Sequence, residues 1–386
     1  MTMEVHSRPT KNAKVKTEKN RQGVSDETSI SRTVVKIKVF GVGGGGGNVL
    51  KRLAESGLRN VELIAVNTDT HALSALKVPE IREIQIGGTI TNGRGTGGRT
   101  DIAEQAAKRE AGRLKDLIYG ADLIFITAGM GGGTGTGAAP VIAEIAKTLG
   151  VLTVGVVTAP FSFEGNRKKR IADEGIAKMQ SNMDAFVIVQ NDNLLKLSGS
   201  KNISFADAFK AADFVLLQAI SCIAELILTT GFINVDFADV TTIFQQSASS
   251  EAILGIGQSN ISAVNAVQNA LESPLIDKSI KGARGMILNI TGDEALSLYE
   301  VNEAADYIFS HTEGEVNIIF GVVINKRMNG VIQAMIIATD FADNDLSNIQ
   351  NFSRQQNYQQ QNYRQQEIET PPGIPTFNFN NYRRND

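Results

Sequence analysis

The chain has 386 residues, 42% of them hydrophobic and 20% charged, so it is long enough for a sizeable core and about two domains. Its net charge of −3 argues against a global basic field that would recruit nucleic acid or an acidic membrane surface. The single cysteine, Cys222, excludes an internal disulfide and suits a reducing cytoplasm. No signal peptide or membrane insertion is expected, because no segment reaches the ~18 uninterrupted apolar residues of a membrane span.

The first predicted elements surround a glycine-rich loop. Residues 1–32 are polar and without periodicity, which predicts a disordered N-terminal extension. Val34–Phe40 is typical of a buried strand, and Val49–Glu55 has helical spacing. Between them lies Gly41–Asn48, with five consecutive glycines. At a strand-to-helix turn, exposed N–H groups and the positive helix end form an anion site.

A second glycine-rich loop follows a later strand. Gly131–Gly137 lies between the predicted strand Leu123–Thr127 and the predicted helix Val141–Thr148, and we expect Pro140 near the first helical position. Glycines cost backbone entropy on ordering, so such a cluster indicates that something approaches the backbone closely. Two such loops in one sheet predict opposite walls of one nucleotide pocket.

The remaining elements of the first 230 residues alternate between strand and helix. The predicted strands Val61–Asn67, Leu152–Thr158 and Ala185–Gln190 and the helix Asp101–Ile118 indicate an α/β fold with a mostly parallel, doubly covered sheet. We assign residues 33–204 to this domain. Residues 205–230 form a central core helix, whose apolar run is interrupted by charged residues.

The carboxy-terminal third has a different pattern of predicted helices and strands. Residues 231–342 predict a smaller α+β domain with helix Ser262–Leu271 and the apolar strands Gly285–Ile290, Val316–Val323 and Val331–Ala338. The polar turn Asn325–Gly330 predicts that the last two strands form a hairpin.

Two polar segments complete the chain. Residues 343–370 are Gln/Asn-rich and predict a linker that cannot bury enough apolar surface to fold. Residues 371–386 contain the apolar Ile374–Phe377 and the paired Arg383 and Arg384, a composition typical of a docking peptide on a flexible tether.

The residue patterns leave one rival function open. Gly41–Gly46 satisfies G-x-G-x-x-G after a strand, and Asp69 follows the next strand at a plausible distance for a ribose hydroxyl. These features would suit a dinucleotide-binding oxidoreductase, although that fingerprint does not require the second glycine loop. A P-loop NTPase fits the chain less well than the oxidoreductase, because G-x-x-x-x-G-K-[ST] does not occur.

Several motifs together resemble the tubulin/FtsZ superfamily, whose bacterial members include cell-division GTPases. Gly129–Gly137 is similar to the superfamily signature, and the other matching segments are Gly41–Asn48, Val66–Asp69, Pro160–Gly165, Asn191–Asp192 and Asn234–Asp239. The match runs from Val34 to Phe341, and the tail is similar to the tail peptide of the division proteins. The resemblance implies a Rossmann-like parallel-sheet GTPase domain, binding of GTP or GDP, and head-to-tail self-assembly into a cytoplasmic division ring at mid-cell.

The resemblance also implies a nucleotide site. Its residues would be Gly44, Gly45, Gly46, Gly47, Asn48, Gly131, Gly132, Gly133, Thr134, Gly135, Glu164, Lys168, Asn191, Phe209 and Asp213. The glycine loops would hold the phosphates and Glu164 the ribose, while Asn191 and Asp213 would bind the guanine edge with Phe209 stacked on the base. The family usually has arginine where Lys168 stands, and Arg94, Arg99-Thr100 and Asp340 are further departures.

Catalysis is implied to come from the loop after the core helix. Asn234, Asp236 and Asp239 would enter the pocket of the next subunit and polarise the attacking water, with Mg²⁺ held mainly by GTP phosphates and water. No protein metal site is predicted, because the three histidines lie apart from Cys or carboxylate clusters. A structural alternative for the two aspartates is helix capping. The tail is implied to dock on membrane-tethering division proteins such as the actin-like FtsA.

Overall fold

The computed structural model describes residues 35–197, 204–228, 235–246, 250–276, 280, 282–312 and 316–341. The predicted N-terminal extension, the linker and the docking peptide therefore lie outside the described residues. The described strands form a ten-stranded sheet in the order β3-β2-β1-β4-β5-β6-β7-β10-β8-β9. They are β1 (Ile37–Val42), β2 (Val61–Asn67), β3 (Ile81–Gln85), β4 (Leu123–Gly129), β5 (Leu152–Ala159), β6 (Ala185–Gln190), β7 (Glu251–Ser259), β8 (Ala283–Gly292), β9 (Asn317–Ile324) and β10 (Ile332–Phe341).

Helices cover this sheet. They are α1 (Gly43–Ser56), α2 (Thr70–Ser74), α3 (Gly88–Thr91), α4 (Thr100–Arg109), α5 (Ala111–Ile118), α6 (Thr134–Thr148), α7 (Asn166–Gln180), α8 (Asn191–Leu197), α9 (Phe205–Leu228), α10 (Phe237–Gln246), α11 (Ala263–Leu271) and α12 (Leu298–His311). Short 3₁₀ turns occupy Ser162–Glu164 and Lys326–Met328.

The amino-terminal half of the sheet, β1 to β6, is wholly parallel and buried on both faces. Alternate residues of β1 show this arrangement. Val39 packs into one hydrophobic cluster with α1 and α9, and Phe40 packs into a second cluster with α4, α5 and α6. Because both faces are covered, these strands read as nearly continuous apolar runs. The α/β, mostly parallel prediction is confirmed.

The central helix α9 lies inside the protein. By length and composition it is the one helix among the described residues that could cross a membrane. More than half of its apolar stretch is buried, however, against α1, β5 and the sheet of the carboxy-terminal third. Its apolarity is therefore used in core packing, as the sequence predicted, and its predicted last residues, 229–230, lie outside the described part.

The predicted hairpin between the last two strands is wrong. β10 pairs antiparallel with β7 on one side and with β8 on the other, while β9 pairs parallel with the far side of β8. Nearly every described β10 side chain is buried, whereas β9 is half-exposed. β10 is therefore the central strand of this part of the sheet, with a partner on each edge, and β9 is its last strand.

Predicted helix starts also differ from the structure. Gly43–Gly47 of the first loop and Gly135 and Gly137 of the second are already helical, so α1 begins at Gly43 and α6 at Thr134. The prediction for Pro140 is therefore wrong, because it is the seventh residue of α6 rather than the first. Burial explains this start: the first turns of α6 are enclosed by neighbouring helices, and tertiary packing overrides the low helix propensity of glycine. The predicted helix over 101–118 is two helices, which meet at Glu110.

Gly137 gives a test of this close packing. A Cβ at Gly137 would overlap the carbonyl oxygen of Thr100 and stand 2.8 Å from Ala103 Cβ on α4. We expect Gly137→Ala to destabilise the fold by about 1–3 kcal/mol in spite of the higher helix propensity of alanine. Gly112→Ala on α5 is the matched control, since nothing lies within 4 Å of its Cβ position. It should stabilise by up to about 1 kcal/mol. Urea unfolding measures both, and equal effects would contradict the packing argument.

Candidate nucleotide-binding site

The two glycine loops meet at the carboxyl ends of two central strands of the parallel sheet. β1 lies between β2 and β4, and the chain leaves the carboxyl ends of β1 and β4 directly into α1 and α6. The strand order reverses here, which is where open α/β sheets form a ligand crevice. The first N–H groups of both helices face this crevice, so the positive ends of two helix dipoles are combined.

Contact between the loops is at backbone level. A Cβ on Gly43, whose φ is +73°, would stand 2.9 Å from the backbone nitrogen of Gly135. One on Gly45 would stand 3.2 Å from the nitrogen of Gly129. Gly44, Gly45 and Asn48 are exposed, whereas Gly46 and Gly47 are buried. The structure thus brings the two predicted loops together, and glycine is required because side chains would separate them.

Hydroxyl groups tie the second loop to its surroundings. The hydroxyls of Thr68, after β2, and Thr134 lie 2.9 Å apart. Thr136 Oγ1 accepts a hydrogen bond of 2.9 Å from the backbone nitrogen of Gly131. At Gly133 a Cβ would overlap Thr96 Oγ1, so the glycine-rich segment 93–98 lies against this loop. Thr68 and the segment 93–98 therefore both contact the second glycine loop at this end of the crevice.

Glu164 and Lys168 form an ion pair at the side of the crevice. One carboxylate oxygen of Glu164 accepts from the backbone nitrogen of Phe161 at 3.0 Å, and the other accepts from Lys168 Nζ at 2.6 Å. Their i,i+4 spacing makes this contact possible. Glu164 is partly buried and Lys168 is exposed, so the carboxylate is fixed in place while the ammonium group reaches solvent.

The other end of the crevice has an aromatic wall and two polar side chains. Phe209, on α9, packs edge-on against Phe161 with ring centroids 5.2 Å apart, and it remains 42% exposed. Asn191, the first residue of α8, is buried, and its Oδ1 has no hydrogen-bond partner in the described part. A buried amide oxygen without a partner is costly and indicates a position where a ligand donor could bind.

Asp213 has a partner that the sequence analysis missed. Arg52 Nε on α1 donates to Asp213 Oδ2 at 3.2 Å. Burial raises the pKa of the Asp213 carboxyl, and the hydrogen bond from Arg52 opposes that shift. Asn48 and Arg52 are four residues apart on α1, so their side chains lie on the same face of the helix. This spacing from a predicted site residue is the sequence signal that could have indicated Arg52.

The aspartates of the predicted acidic loop do not join this site. Asp236 and Asp239 are exposed at the start of α10, which packs on β8, β9 and β10, and Asn234 lies outside the described residues. Asp236 Oδ1 accepts from the nitrogen of Ala238 at 3.2 Å, so the helix-capping interpretation holds for Asp236.

Along the chain, helix α9 lies between Asn191 at the crevice and the acidic residues Asp236 and Asp239. Near its start Phe209 contacts Phe161 beside the crevice, and near its end Leu226 packs against Gly321 of β9. Glu225 and Leu228 line a cleft with residues 56–60. These residues directly precede β2 and therefore lie at the amino ends of the parallel strands, opposite the crevice. A helix of 24 residues spans about 36 Å. The acidic residues therefore follow the far end of α9.

Comparison with known proteins identifies the family that shares this fold. Residues 36–199 match the GTPase domain of the Tubulin/FtsZ family, and residues 250–342 match the C-terminal domain of the FtsZ family. A solved FtsZ of M. jannaschii, described as an empty dimer, is 39% identical with a TM-score of 0.76, covering 81% of this chain and 90% of that one. CetZ2 of Haloferax volcanii, described as a GTPγS-bound protofilament, is 20% identical with a TM-score of 0.67, covering 80% and 94%, and supports the fold.

The paired glycine loops at the switch point of a parallel sheet, followed by a long central helix, define a tubulin-like GTPase. Within that class the chain belongs to the FtsZ family, as both domain matches and the 39% identity show. It binds guanine nucleotide and hydrolyses GTP. This assignment decides against the dinucleotide oxidoreductase. Among the described residues, no three His, Cys, Asp or Glu side chains stand close enough together to hold a metal ion.

Proposed function

We propose that this chain assembles head to tail in a GTP-dependent manner and hydrolyses GTP only where two subunits meet. One observation carries the proposal: Phe209 near the start of α9 lies beside the crevice, whereas Asp236 and Asp239 follow the other end of α9 in the chain and are exposed at the start of α10, which packs on β8, β9 and β10. A subunit cannot bring its own Asp236 or Asp239 to its own crevice. The corresponding end of a second subunit can.

The crevice has the groups that a guanosine triphosphate needs. Gly44–Asn48 and Gly131–Gly135 present backbone N–H groups to the phosphates, and the hydroxyl of Thr134 adds a further donor. Glu164, oriented by Phe161 and Lys168, accepts from the ribose hydroxyls. Lys168 supplies a point charge rather than the bidentate contact of an arginine.

The base end is suited to guanine. Guanine presents N–H donors on its Watson–Crick edge, and the carboxylate of Asp213 and the unpaired Oδ1 of Asn191 are acceptors. Phe209 offers part of its ring to the base. Arg52 holds the Asp213 carboxylate in one orientation and favours its ionised form.

Hydrolysis requires an oriented water and stabilisation of charge on the γ-phosphate. Asn234, Asp236 and Asp239 of the incoming subunit orient the water, and the helix ends and glycine-loop N–H groups stabilise the charge. Mg²⁺, which would be held mainly by the triphosphate and water, would supply further positive charge at the phosphates. Asp239 is exposed at the start of α10, so its carboxylate is available to a neighbouring subunit.

Repeated contacts of this kind produce filaments. The crevice of one subunit meets a different surface of the next, and such a heterologous contact continues into an open polymer unless rotation closes a ring. The relatives described as a dimer of FtsZ and a protofilament of CetZ2 support self-association. We place the polymer in the cytoplasm at the mid-cell division ring, with residues 371–386 bound to a membrane-tethering division protein such as FtsA.

The test is the GTPase rate measured against protein concentration. Because one site needs two subunits, we expect the rate per subunit to be low at high dilution and to rise steeply above a threshold. Sedimentation with GTP should increase at the same threshold, and GDP should abolish it. A rate per subunit that is constant over the whole concentration range would contradict the shared site.

A further inference from the structure

An apolar groove lies between the start of α12 and β9. Leu296, Leu298, Val301, Val322 and Ile324 line this groove, which has a volume of about 650 Å³. Leu298 is 81% exposed. An exposed apolar surface of this kind indicates that a further chain segment covers it.

The strand beside the groove has an open edge. In the part of the chain that the structure describes, β9 is the last strand of the sheet, and β8 is its one neighbour. An edge strand offers unpaired N–H and C=O groups to an additional strand. Val322 and Ile324 lie two residues apart and so face the groove together.

The rim of the groove is acidic. The stretch from Asp293 to Asp306 contains five carboxylates and no lysine or arginine. Hydrogen bonds from the backbone N–H groups of Ala295 and Gly330 hold the pKa of Asp293 below its usual range. Lys326 neutralises Glu294 at 2.7 Å, but Glu303 and Asp306 are exposed farther along α12. An apolar segment with a cationic end would complement this surface.

The carboxy-terminal tail has that chemistry. Residues 376–380 read Thr-Phe-Asn-Phe-Asn, so Phe377 and Phe379 alternate with polar residues at the period of a strand. The three tail prolines precede this stretch and leave every N–H of 376–380 available for pairing. Arg383 and Arg384 follow it.

The tether has a suitable length. Residues 342–373 separate Phe341, the end of β10, from Ile374. A flexible chain of that length has a root-mean-square span of about 30 Å. Phe341 lies opposite Ala283 at the start of β8, and Gly292 next to the groove ends that ten-residue strand, about 30 Å away. The match favours binding within one chain.

We propose that residues 376–384 of this chain, when no division protein binds them, dock on its own apolar groove. The segment adds a strand to the free edge of β9, with Phe377 and Phe379 beside Val322 and Ile324 and the two arginines near the acidic rim. The groove shares Ile324 with the cleft at the far end of α9. The docked tail therefore lies beside the end of the molecule that our proposed function assigns to the next subunit, and only this consequence rests on that proposal.

Energy transfer in the full-length protein tests the docking. Ala295→Cys next to the groove and Asn380→Cys in the tail receive a donor and an acceptor dye. Native Cys222 is buried, and burial raises the pKa of its thiol to about 12, so it does not compete for label. At an effective concentration of about 1 mM, a segment with a Kd of about 0.1 mM would be docked about nine-tenths of the time.

We expect high transfer in GDP, unchanged when labelled protein is diluted into unlabelled protein. Combined Phe377→Ser and Phe379→Ser should reduce the transfer to that of a free tether, and so should Leu298→Asn. The matched controls, Phe352→Ser in the linker and Ile261→Asn at another exposed site, should leave it unchanged.

Two results would overturn the proposal. One is transfer that the tail and groove variants do not alter. The other is transfer that excess unlabelled protein removes, which would assign the groove to a second copy. The measurement needs neither hydrolysis nor assembly. It can therefore contradict tail docking without affecting the shared GTPase site, and a failure of the shared site would not contradict tail docking.

Discussion

Asp239→Ala is expected to retain GTP binding and GTP-dependent sedimentation but to lose GTP hydrolysis by about a hundredfold or more. Asp239 is exposed, and its backbone nitrogen, which donates to the carbonyl oxygen of Asp236 at 3.0 Å, remains in the variant. The start of α10 should therefore survive, with a change in stability within about 0.5 kcal/mol. Removal of a group that positions or activates the attacking water costs about 10²–10⁴ in rate. Phosphate release and sedimentation, measured together, separate chemistry from assembly.

Asp116→Ala is the matched control, because it removes an equally exposed carboxylate from α5. It should hydrolyse GTP at the rate of the unmodified chain. Equal rates for Asp239→Ala and Asp116→Ala would refute the role of the acidic loop. A loss of sedimentation together with activity would instead make Asp239 an assembly residue.

Mixing two inactive variants tests the sharing directly. A subunit with a defective pocket still offers an intact acidic loop, and Asp239→Ala still offers an intact pocket. If the site is shared, some interfaces in the mixture combine the intact pocket of one variant with the intact acidic loop of the other. Hydrolysis should then return. Two variants of a site contained in one chain would stay inactive in any proportion.

Asp213→Asn is expected to weaken GTP binding by about a hundredfold and to favour xanthosine triphosphate. The carboxylate accepts from two adjacent guanine donors in our proposal, and charge-assisted hydrogen bonds contribute about 1.5–3 kcal/mol each. Losing two of them costs about 3 kcal/mol or more. Xanthine carries a carbonyl in place of the exocyclic amine of guanine, so an amide N–H can donate to it. Competition binding with the two nucleotides measures the change.

Asp207→Asn on the same helix is the control, because Asp207 is exposed and pairs with Ser204 and Lys210. It should leave nucleotide preference unchanged. Loss of the Arg52 ion pair in Asp213→Asn should cost about 1 kcal/mol or less, because Arg52 is partly exposed. A variant that folds normally and keeps its preference for GTP would remove Asp213 from base recognition.

Several features of the fold were predictable from local patterns. Strands buried on both faces read as apolar runs, so Val61–Asn67 and Ala185–Gln190 were predicted at their observed bounds. The hairpin prediction failed because a turn signal states only that the chain reverses. It does not state which strand pairs with which, and in the sheet β10 lies between β7 and β8 while β9 lies on the far side of β8. The Pro140 prediction failed because residues 134–139 were taken as loop, whereas they form the first turns of α6 and pack against α4.

For the site, residue patterns alone predicted the two glycine loops that line the crevice, because clustered glycines after buried strands have few uses other than close backbone approach. The packing of the elements showed contacts that residue patterns do not give: Arg52 with Asp213 and the hydroxyl of Thr68 with that of Thr134. It also placed Asp236 and Asp239 at the exposed start of a helix that packs on β8, β9 and β10. The physical reason is that residue type and spacing fix local conformation and chemistry, whereas distances between elements follow from how the helices pack on a shared sheet.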